Sequence, residues 1–369
     1  MTFTPPPYPY ERLDGVREVA SRHEGGAIDC SIGTPIDPPP DFVIEELARA
    51  TGARGYPTSA GSPALRGAAA SWLSRRFGVV ADADNVVACV GTKEFVASLA
   101  QYLKLRDDTR DTVLYPAVSY PTYAMGATLA GLRAGAVPVS GGRLDLAAID
   151  PADARRALVL WSNSPSNPTG GLDDLAAVAA WGRECGVLVA SDECYSDFTW
   201  DGPAHSILEH GESGVLALHS VSKRSNLAGL RAGFYSGDRD VVAYLRSVRQ
   251  HAGLMVAGPI QSALALAYGD DEHVEVQRRR YHARLAQLSS ALTATGVDAP
   301  MPQGGFYLWC RATGLDGWQL AARLAEVAGL VVSPGELYGD AENYVRIAVV
   351  QSDERLELAA SRLRAVHLR

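Results

Sequence analysis

The feature of this sequence that most constrains its fold is an alternation of two kinds of segment. Short apolar runs rich in β-branched residues alternate with longer runs rich in Ala and Leu, from about residue 85 to about residue 250. Strands of a parallel sheet are buried on both faces, so they read as such apolar runs with helices between them. The pattern therefore predicts an α/β fold with a large, mostly parallel sheet flanked by helices.

The same pattern predicts the boundaries of these elements. The strands are expected at Asn85–Val90, Thr112–Tyr115, Ala157–Trp161, Val187–Ser191, Val215–His219 and Arg231–Ser236. Three of the connecting helices are expected at Thr92–Leu105, Leu172–Glu184 and Asp238–His251. Parallel strands bring the residues that follow them to one edge of the sheet, where α/β proteins bind ligands.

The last third of the chain predicts a smaller α+β domain, which begins with a helix from Asp270 to about Thr295. The elements expected after it are strand Phe306–Arg311, helix Trp318–Ala328, strand Leu330–Ser333, strand Tyr344–Val349 and helix Asp353–Arg364. At 369 residues, the chain is long enough for two domains. We expect a large domain at 55–260 and a small domain at 261–369, which the segment 1–54 joins with its helix Asp41–Ala50.

Composition and charge argue against several classes of function. The formal net charge of −8 gives no global electrostatic attraction to nucleic acid. No apolar run approaches the roughly 18 residues of a membrane-spanning helix, and residues 1–15 lack the basic and apolar regions of a secretory signal. Five cysteines without Cys-x-x-Cys spacing argue against a disulfide framework and a zinc site. We expect a soluble, cytoplasmic protein that binds small molecules, and neither nucleic acid, membrane nor metal.

A lysine with unusual neighbours is the first candidate for catalysis. Lys223 lies in the segment HSVSKRSNLAGLRAGF, a few residues past a predicted buried strand. A lysine there is ordinarily a solvated loop residue, but Ser220 and Ser222 precede it and Arg231 follows eight residues later. Two hydroxyls and a guanidinium can hold a phosphate monoester beside the amine. This arrangement points to a Schiff base between Lys223 and pyridoxal phosphate (PLP).

Other residues could complete such a site. Asp192 follows the apolar run Val187–Ser191 and could keep the pyridine nitrogen of the cofactor protonated. Tyr195 and Asn167, the latter in NSPSNPTG, could donate hydrogen bonds to the 3-oxygen of the cofactor. Arg346 interrupts the apolar strand YVRIAVV and could clamp a substrate carboxylate. Taken singly, each residue also fits a structural role, as a capping Asp, a packed Tyr, a turn Asn or one half of a salt bridge.

Two further groups of residues follow predicted strands. Gly91, Thr92 and Lys93 open a predicted helix, whose unpaired N–H groups would form a phosphate cradle. An ordinary strand-to-helix turn fits these three residues equally well. Tyr120 and Tyr123, in YPAVSYPTY, follow the next strand, and one of them could stack on a pyridine ring. Either tyrosine alone also fits a packed core aromatic.

Together these segments resemble the fold-type I PLP-dependent aminotransferases of class I and II. The motifs SPSNPTG, SDECYSDF, HSVSKRSNLAGLRAGF and YVRIAV occur in the order and at the separations typical of that family. The resemblance covers nearly the whole chain. It implies the type I fold of PLP-dependent transferases, pyridoxal 5'-phosphate as cofactor, and transamination of small amino and keto acids.

The resemblance also implies a role for each candidate residue. Lys223 would bind the cofactor covalently and act as general base, and Asp192 would hold the ring nitrogen. Tyr56 would reach the phosphate in a second subunit, which implies an obligate homodimer with shared active sites. The other implied contacts are Asn167 and Tyr195 at the 3-oxygen; Ser220, Ser222, Arg231 and the backbone of Gly91, Thr92 and Lys93 at the phosphate; Tyr120 rather than Tyr123 on the ring; and Arg346 with Gly33 at the substrate carboxylate.

Within that family, the segments IGTPIDP, GYPTSAGSPALR, SDECY and SPGELYG are most similar to the N-succinyldiaminopimelate aminotransferases of the actinobacterial kind. This implies glutamate and N-succinyl-LL-2,6-diaminopimelate as amino donors, in lysine biosynthesis. The departures from that group, at Gln303–Tyr307, Leu230 and YPYERL, flank the substrate side. An aspartate-like or aromatic-like amino-acid specificity and a PLP-dependent β-lyase therefore stay open as alternatives.

Two alternatives from other classes fit single features. Ser220 and Lys223 match the Ser-x-x-Lys of serine acyl-enzymes, which predicts labelling by acylating inhibitors. A PLP-binding regulatory module predicts an attached DNA-binding domain and a basic surface, and the sequence indicates neither.

Overall fold

The large sheet is the centre of the fold in the computed structural model, which describes residues 4–366. It has seven strands, and their order across the sheet is Val86–Cys89, Gly233–Gly237, Val215–Ser220, Leu188–Asp192, Ala157–Asn163, Thr112–Pro116 and Arg133–Val137. The strand Gly233–Gly237 runs antiparallel to both of its neighbours, and the other neighbouring pairs are parallel. The predicted α/β fold with a mostly parallel sheet is confirmed.

Helices cover both faces of this sheet. In chain order the α-helices are Asp14–Ala20, Asp41–Arg49, Pro63–Phe77, Thr92–Arg106, Thr122–Leu129, Pro151–Arg156, Leu175–Cys185, Val221–Arg224, Arg239–His251, Gly258–Gly269, Glu272–Ala294, Gly317–Ala328 and Asp353–Arg364. Side chains alternate between the faces of a strand, so Leu160 packs in one apolar core and Val159 and Trp161 pack in another. No helix between residues 4 and 366 is both long and apolar enough to cross a membrane.

A three-stranded antiparallel sheet forms a second centre of packing. Its strands, in order across the sheet, are Tyr307–Cys310, Val345–Ala348 and Ser333–Pro334. A parallel pair of short strands, Ile28–Asp29 with Leu330–Val331, attaches the N-terminal segment to this part of the molecule.

The N-terminal segment also contributes to the large sheet. Its helix Asp41–Arg49 packs against the helix Gly258–Gly269, and Val43 belongs to an apolar core of the large sheet. The segment 1–54 therefore has contacts in both parts of the molecule. The division of the chain after residues 54 and 260 stays a prediction.

Some predicted boundaries are wrong by two or three residues, each for a local reason. The last strand of the large sheet begins at Gly233 rather than Arg231, because Arg231 has a left-handed backbone with a φ of 51°. The helix predicted from Leu172 begins at Leu175, where the side chain of Asp174 caps its first turn.

Two strands differ more from the prediction. The predicted strand Leu330–Ser333 is split, because Leu330–Val331 pairs with the N-terminal segment while Ser333–Pro334 pairs with Val345–Ala348. The strand Arg133–Val137 was missed altogether. It lies at the edge of the large sheet, and three of its five residues are exposed, so it lacks the apolar run that marks a central strand.

Candidate active site

A cavity of about 500 Å³ lies at the carboxyl ends of the parallel strands, between the large and the small sheet. Asn163, Asp192 and Ser220 end three of those strands and line the cavity, as do Tyr307 and Arg346 from the small sheet. This edge is the usual ligand site of an open parallel sheet. The predicted site residues that line the cavity are Gly33, Thr92, Lys93, Tyr120, Asn167, Asp192, Tyr195, Ser220, Ser222, Lys223, Arg231 and Arg346.

Lys223 lies in the short helix Val221–Arg224, directly after the strand that ends at Ser220. The side chain of Ser220 caps this helix by accepting from the N–H of Ser222. The amine nitrogen Nζ donates to the carbonyl oxygen of Gly33. Burial lowers the pKa of Lys223 to about 8. An appreciable fraction of this amine is therefore neutral and nucleophilic slightly above neutral pH.

The geometry does not favour the serine acyl-enzyme alternative. That chemistry requires the serine hydroxyl to be paired with the lysine amine. Here Oγ of Ser220 donates to Oγ of Ser222 at 2.8 Å, whereas the amine of Lys223 donates to a backbone carbonyl. Ser220 is therefore a helix cap and not an activated nucleophile.

Asp192 is a buried carboxylate at the end of its strand. The hydroxyl of Tyr123 donates to its Oδ2 at 3.0 Å, and the N–H of Cys194 donates to its Oδ1 at 3.3 Å. Burial raises the pKa of Asp192, while the hydrogen bonds and the nearby charge of Lys223 oppose that rise. Between residues 4 and 366 no cationic side chain forms an ion pair with it, so this carboxylate is placed to receive a cationic group of a ligand.

Tyr120 and Tyr123 occupy different positions. Tyr123 is 1% exposed, its ring stacks on Trp161 at a centroid distance of 5.2 Å, and its hydroxyl is bonded to Asp192. Both tyrosines line the cavity, but Tyr120 is only partly buried, and Nζ of Lys93 lies 5.8 Å from its ring centroid. This placement supports Tyr120 as the aromatic that stacks on a ligand ring. Tyr123 has a separate role as a donor to Asp192, which sequence reasoning did not indicate.

One part of the cavity is suited to an anion. The helix Thr92–Arg106 begins there after Gly91, and its first N–H groups have no partner within the helix. A Cβ on Gly91 would lie 2.5 Å from Nη2 of Arg231, so this glycine, with a φ of 78°, lets the guanidinium lie against the helix start. The hydroxyl of Ser222 accepts from Ser220 and keeps its own proton to donate, so Ser222 and these donors together match the oxygens of a phosphate.

Arg346 is a buried cation, 1% exposed. Its Nη1 donates to Oδ1 of Asn167 at 2.8 Å, and its Nη2 donates to the carbonyl oxygen of Ser31 at 2.5 Å. The ring centroids of Tyr307 and Tyr338 lie 4.3 and 4.7 Å from its Cζ. Within residues 4–366 no carboxylate pairs with it, and its Nε has no hydrogen-bond partner. A buried guanidinium without a counter-charge is suited to a carboxylate ligand.

Two residues connect parts of the site in a way that the sequence did not indicate: Tyr307, expected only to flank the substrate side, and Asn163, which was not singled out. The hydroxyls of Tyr307 and Tyr195 share a hydrogen bond of 2.8 Å. Asn163 donates to the carbonyl oxygen of Asp192 at 2.8 Å and accepts from the N–H of Asn167 at 2.7 Å. The position of Asn163 at the end of a buried strand was the one available signal. Nothing near Tyr307 in the sequence marks a contact with a residue 112 positions away.

Tyr56 lies apart from the other predicted residues. It does not line the cavity of its own chain, and it is 99% exposed. A tyrosine in this position is available to contact a second chain, and its role across a dimer interface stays a prediction.

A buried acid–base pair lies directly behind the site. Glu193 follows Asp192 and His219 precedes Ser220 in the chain, and the two side chains approach to 3.3 Å between Oε2 and Nε2. Burial raises the pKa of Glu193 to about 8 and lowers the pKa of His219 to about 3. Both side chains are therefore mainly uncharged at neutral pH.

Replacing Glu193 by Gln is expected to remove a pH dependence of stability. A carboxyl group whose pKa rises from 4.5 to about 8 on folding contributes stability that is fully present below pH 4.5 and is lost as the pH rises through about 8. From pH 5 to pH 8 the wild type should lose about 3 to 4 kcal/mol in free energy of unfolding that Glu193→Gln keeps. Urea unfolding at both pH values measures the difference, with the exposed Glu184→Gln as control. An equal pH dependence in wild type and Glu193→Gln would show that Glu193 is charged in the folded protein.

The residues around the cavity fit pyridoxal phosphate. Its phosphate matches the donors at Arg231, where a Cβ on Gly91 would intrude on the guanidinium. Its basic ring nitrogen matches the carboxylate of Asp192, which has no cationic partner of its own between residues 4 and 366. Its aldehyde matches the amine of Lys223, and its ring matches the exposed face of Tyr120.

Comparison with known proteins agrees with this chemistry. The family model for "Aminotransferase class I and II" matches residues 27–363. The chain is 41% identical to the 4-dedimethylamino-4-oxo-anhydrotetracycline transaminase OxyQ of Streptomyces rimosus, over 97% of this chain and 99% of that protein. It is 35% identical to the LL-diaminopimelate aminotransferase of Desulforudis audaxviator, over 97% of this chain and 95% of that protein.

A comparison with solved structures finds the same kind of protein. A solved structure of a probable N-succinyldiaminopimelate aminotransferase from Thermus thermophilus matches with a TM-score of 0.87 and 32% identity, over 96% of this chain and 99% of that one. The predicted cofactor and enzyme class are confirmed, because this family depends on PLP. The chain therefore belongs to the class I and II aminotransferases, and it is a PLP-dependent transaminase with the fold of that family.

Proposed function

We propose that this transaminase moves an amino group between glutamate and N-succinyl-LL-2,6-diaminopimelate, each interconverting with its keto acid, in lysine biosynthesis. The observation that carries the amino-acid part of the proposal is Arg346, a buried guanidinium without an acidic partner within residues 4–366. Every α-amino acid and α-keto acid brings a carboxylate that can accept two parallel hydrogen bonds from it.

Different residues of the chain have different roles in this reaction. Bound PLP supplies the aldehyde that takes up the amino group and a ring that draws electrons from the substrate carbon. Lys223 would hold the cofactor, and its amine, when free, would remove the proton from the substrate α-carbon as general base. Its pKa of about 8 suits this role. Asp192 holds a proton on the ring nitrogen, and Arg346 orients the substrate carboxylate.

Asn167 and Tyr195 have the donors that the cofactor oxygen requires. The amide oxygen of Asn167 accepts from Arg346, which leaves its NH2 group to donate to the 3-oxygen. The hydroxyl of Tyr195 lines the same cavity and can donate as well. Asn167 would thus contact both the cofactor oxygen and the guanidinium that binds the substrate carboxylate.

The diaminopimelate part of the proposal is supported by charge and by the relatives. Lys93 is a second cation at the cavity, with Nζ 3.3 Å from the hydroxyl of Tyr8 and no acidic partner between residues 4 and 366. A cation there suits a substrate with a carboxylate beyond the one at Arg346, and N-succinyl-LL-2,6-diaminopimelate has such groups. A relative and a solved structure carry diaminopimelate in their names, which supports the same substrate class.

The visible absorption spectrum of the PLP-loaded protein tests the proposal. A yellow band should bleach when glutamate is added, and it should bleach in a fresh sample when N-succinyl-LL-2,6-diaminopimelate is added. LL-2,6-diaminopimelate, which lacks the succinyl group, is the matched control and should bleach the band only at higher concentration. Bleaching by glutamate alone would keep the transaminase and reject the diaminopimelate substrate.

Substitution of Arg346 by Lys is expected to weaken amino-acid binding more than it slows the chemical step. Lysine keeps the charge but cannot offer two parallel donors, so the KM for glutamate should rise roughly tenfold or more while kcat falls less. Steady-state kinetics over a range of glutamate concentrations measure both constants. The exposed Arg323→Lys, which alters a surface pair with Glu326, is the control. An unchanged KM would place the carboxylate elsewhere.

We also propose a homodimer in which Tyr56 of each chain contacts the phosphate of the other subunit's cofactor. The 99% exposure of Tyr56 in the single chain supports this arrangement. Sedimentation velocity should give a dimer, and Tyr56→Phe should weaken PLP binding without dissociating the dimer. A monomer with full activity would reject both statements.

A second substrate class is favoured by the 41% identity to the transaminase OxyQ. Its name describes a 4-oxo compound of the anhydrotetracycline type, so the alternative substrate is a ketone on a polycyclic ring. This candidate predicts bleaching by an ordinary amino donor and turnover with a cyclic ketone as acceptor.

A PLP-dependent β-lyase, in contrast, would release pyruvate and ammonia from a β-substituted amino acid. Product analysis separates the β-lyase from the two transaminase candidates.

A further inference from the structure

Tyr307 touches three parts of the active site that have different tasks. Its hydroxyl shares a hydrogen bond of 2.8 Å with the hydroxyl of Tyr195. Its ring centroid lies 4.3 Å from Cζ of Arg346. A Cβ on Gly33, whose carbonyl accepts from Lys223, would lie 2.2 Å from the Tyr307 hydroxyl. Tyr307 is also 1% exposed, so its side chain is held by packing on all sides.

The direction of the hydrogen bond between the two tyrosines follows from the proposed role of Tyr195. A hydroxyl has one proton to give. When Tyr195 donates to the 3-oxygen of PLP, its own oxygen can only accept from Tyr307. Between residues 4 and 366 the Tyr307 hydroxyl has no other hydrogen-bond partner. A donor behind Tyr195 polarises its O–H bond and strengthens its hydrogen bond to the cofactor.

We propose that Tyr307 is a positioning residue that strengthens the Tyr195 hydrogen bond to the cofactor and holds Arg346 in place for the substrate carboxylate. The inference rests on the roles proposed above for Tyr195 and Arg346. The two tasks use different parts of one side chain, because the hydroxyl contacts Tyr195 and the ring contacts Arg346. Tyr307→Phe removes the hydroxyl alone and Tyr307→Leu removes the hydroxyl and the ring together, so a comparison of the two variants separates the two tasks.

The pH titration of the visible band of the PLP-loaded protein reports on the hydroxyl. A hydrogen bond to the 3-oxygen stabilises the negative charge on that oxygen. It thereby lowers the pKa of the bound cofactor that the titration of the visible band reports. Tyr307→Phe weakens this hydrogen bond, so the titration midpoint should rise by roughly half a pH unit. The ring is kept, so the glutamate concentration for half-maximal bleaching rate should stay within about twofold of wild type.

A second substitution reports on the ring. Tyr307→Leu should show the same rise in midpoint and, in addition, a roughly tenfold higher half-saturating glutamate concentration, because the guanidinium loses one of its two aromatic faces. Tyr281→Phe is the matched control. It removes another buried tyrosine hydroxyl, one without a hydrogen-bond partner between residues 4 and 366, beside Phe306. Neither quantity should change in it.

Tyr195→Phe sets the scale and should raise the midpoint more than Tyr307→Phe does. An unshifted midpoint in Tyr307→Phe beside a shifted one in Tyr195→Phe would overturn the inference and leave the proposed function intact. An unshifted midpoint in Tyr195→Phe would overturn the proposed role of Tyr195, and the inference with it. A half-saturating concentration in Tyr307→Leu equal to that of Tyr307→Phe would overturn the part that concerns Arg346.

Discussion

Lys223→Ala protein should hold PLP by noncovalent contacts alone and should transaminate about four orders of magnitude more slowly than wild type. Lys223 is the cavity amine whose pKa burial lowers to about 8, so it can both bind the aldehyde and move the substrate proton. The groups that we propose to hold the phosphate, among them Arg231 and Ser222, are unchanged in this variant, so the cofactor should still bind. The rate at which an isotopic label exchanges between glutamate and 2-oxoglutarate measures the loss.

Covalent labelling gives an independent readout of the same prediction. The sequence contains three lysines, Lys93, Lys104 and Lys223, so mass spectrometry after borohydride reduction of the PLP-loaded protein can locate the cofactor. We expect the label on Lys223. Lys104→Ala should keep both label and turnover, because the amine of Lys104 donates to the carbonyl of Ala130 outside the cavity. A label on Lys93, or turnover at the wild-type rate in Lys223→Ala, would contradict the assignment.

Asp192→Asn should lower kcat by about three orders of magnitude. Asparagine has the same shape and can still accept a hydrogen bond from Tyr123, but it has no charge to keep the ring nitrogen protonated. The ring then draws electrons from the substrate carbon less strongly. The rate of bleaching at saturating glutamate measures the effect on the chemical step.

Tyr123→Phe is the matched control for this substitution. It removes the 3.0 Å hydrogen bond to Oδ2 of Asp192 but leaves the charge. We expect a loss of about tenfold or less, the size that one hydrogen bond to a charged group accounts for. If Asp192→Asn loses no more than Tyr123→Phe does, the carboxylate does not act through its charge.

Much of this site was predictable because its residues stand at the ends of local patterns. Asp192 lies at the end of one apolar strand and Ser220 at the end of another, and Lys223 lies three residues after Ser220. A parallel sheet brings the carboxyl ends of its strands to one edge, so their convergence required no knowledge of side-chain packing. The cavity lies at that edge, and these three residues line it.

The contacts between the two sheets were not predictable in this way. Tyr195 meets Tyr307 across 112 positions, and Lys223 meets Gly33 across 190. The edge strand Arg133–Val137 was missed for a related reason, since partial exposure removes the apolar pattern on which strand prediction depends. In each case the partner that determines the outcome is remote in the chain.

The α/β architecture, the motif residues and the cofactor chemistry follow from the sequence alone, because periodicity and motif spacing are properties of short segments. Other features depend on the packing of remote segments. Tyr123 and not Tyr120 donates to Asp192, and Arg346 lies against the rings of Tyr307 and Tyr338 without a counter-charge from residues 4–366. The same packing buries Glu193 and raises its pKa to about 8. Burial, distance and the pKa shifts that follow from them depend on which remote segments pack together.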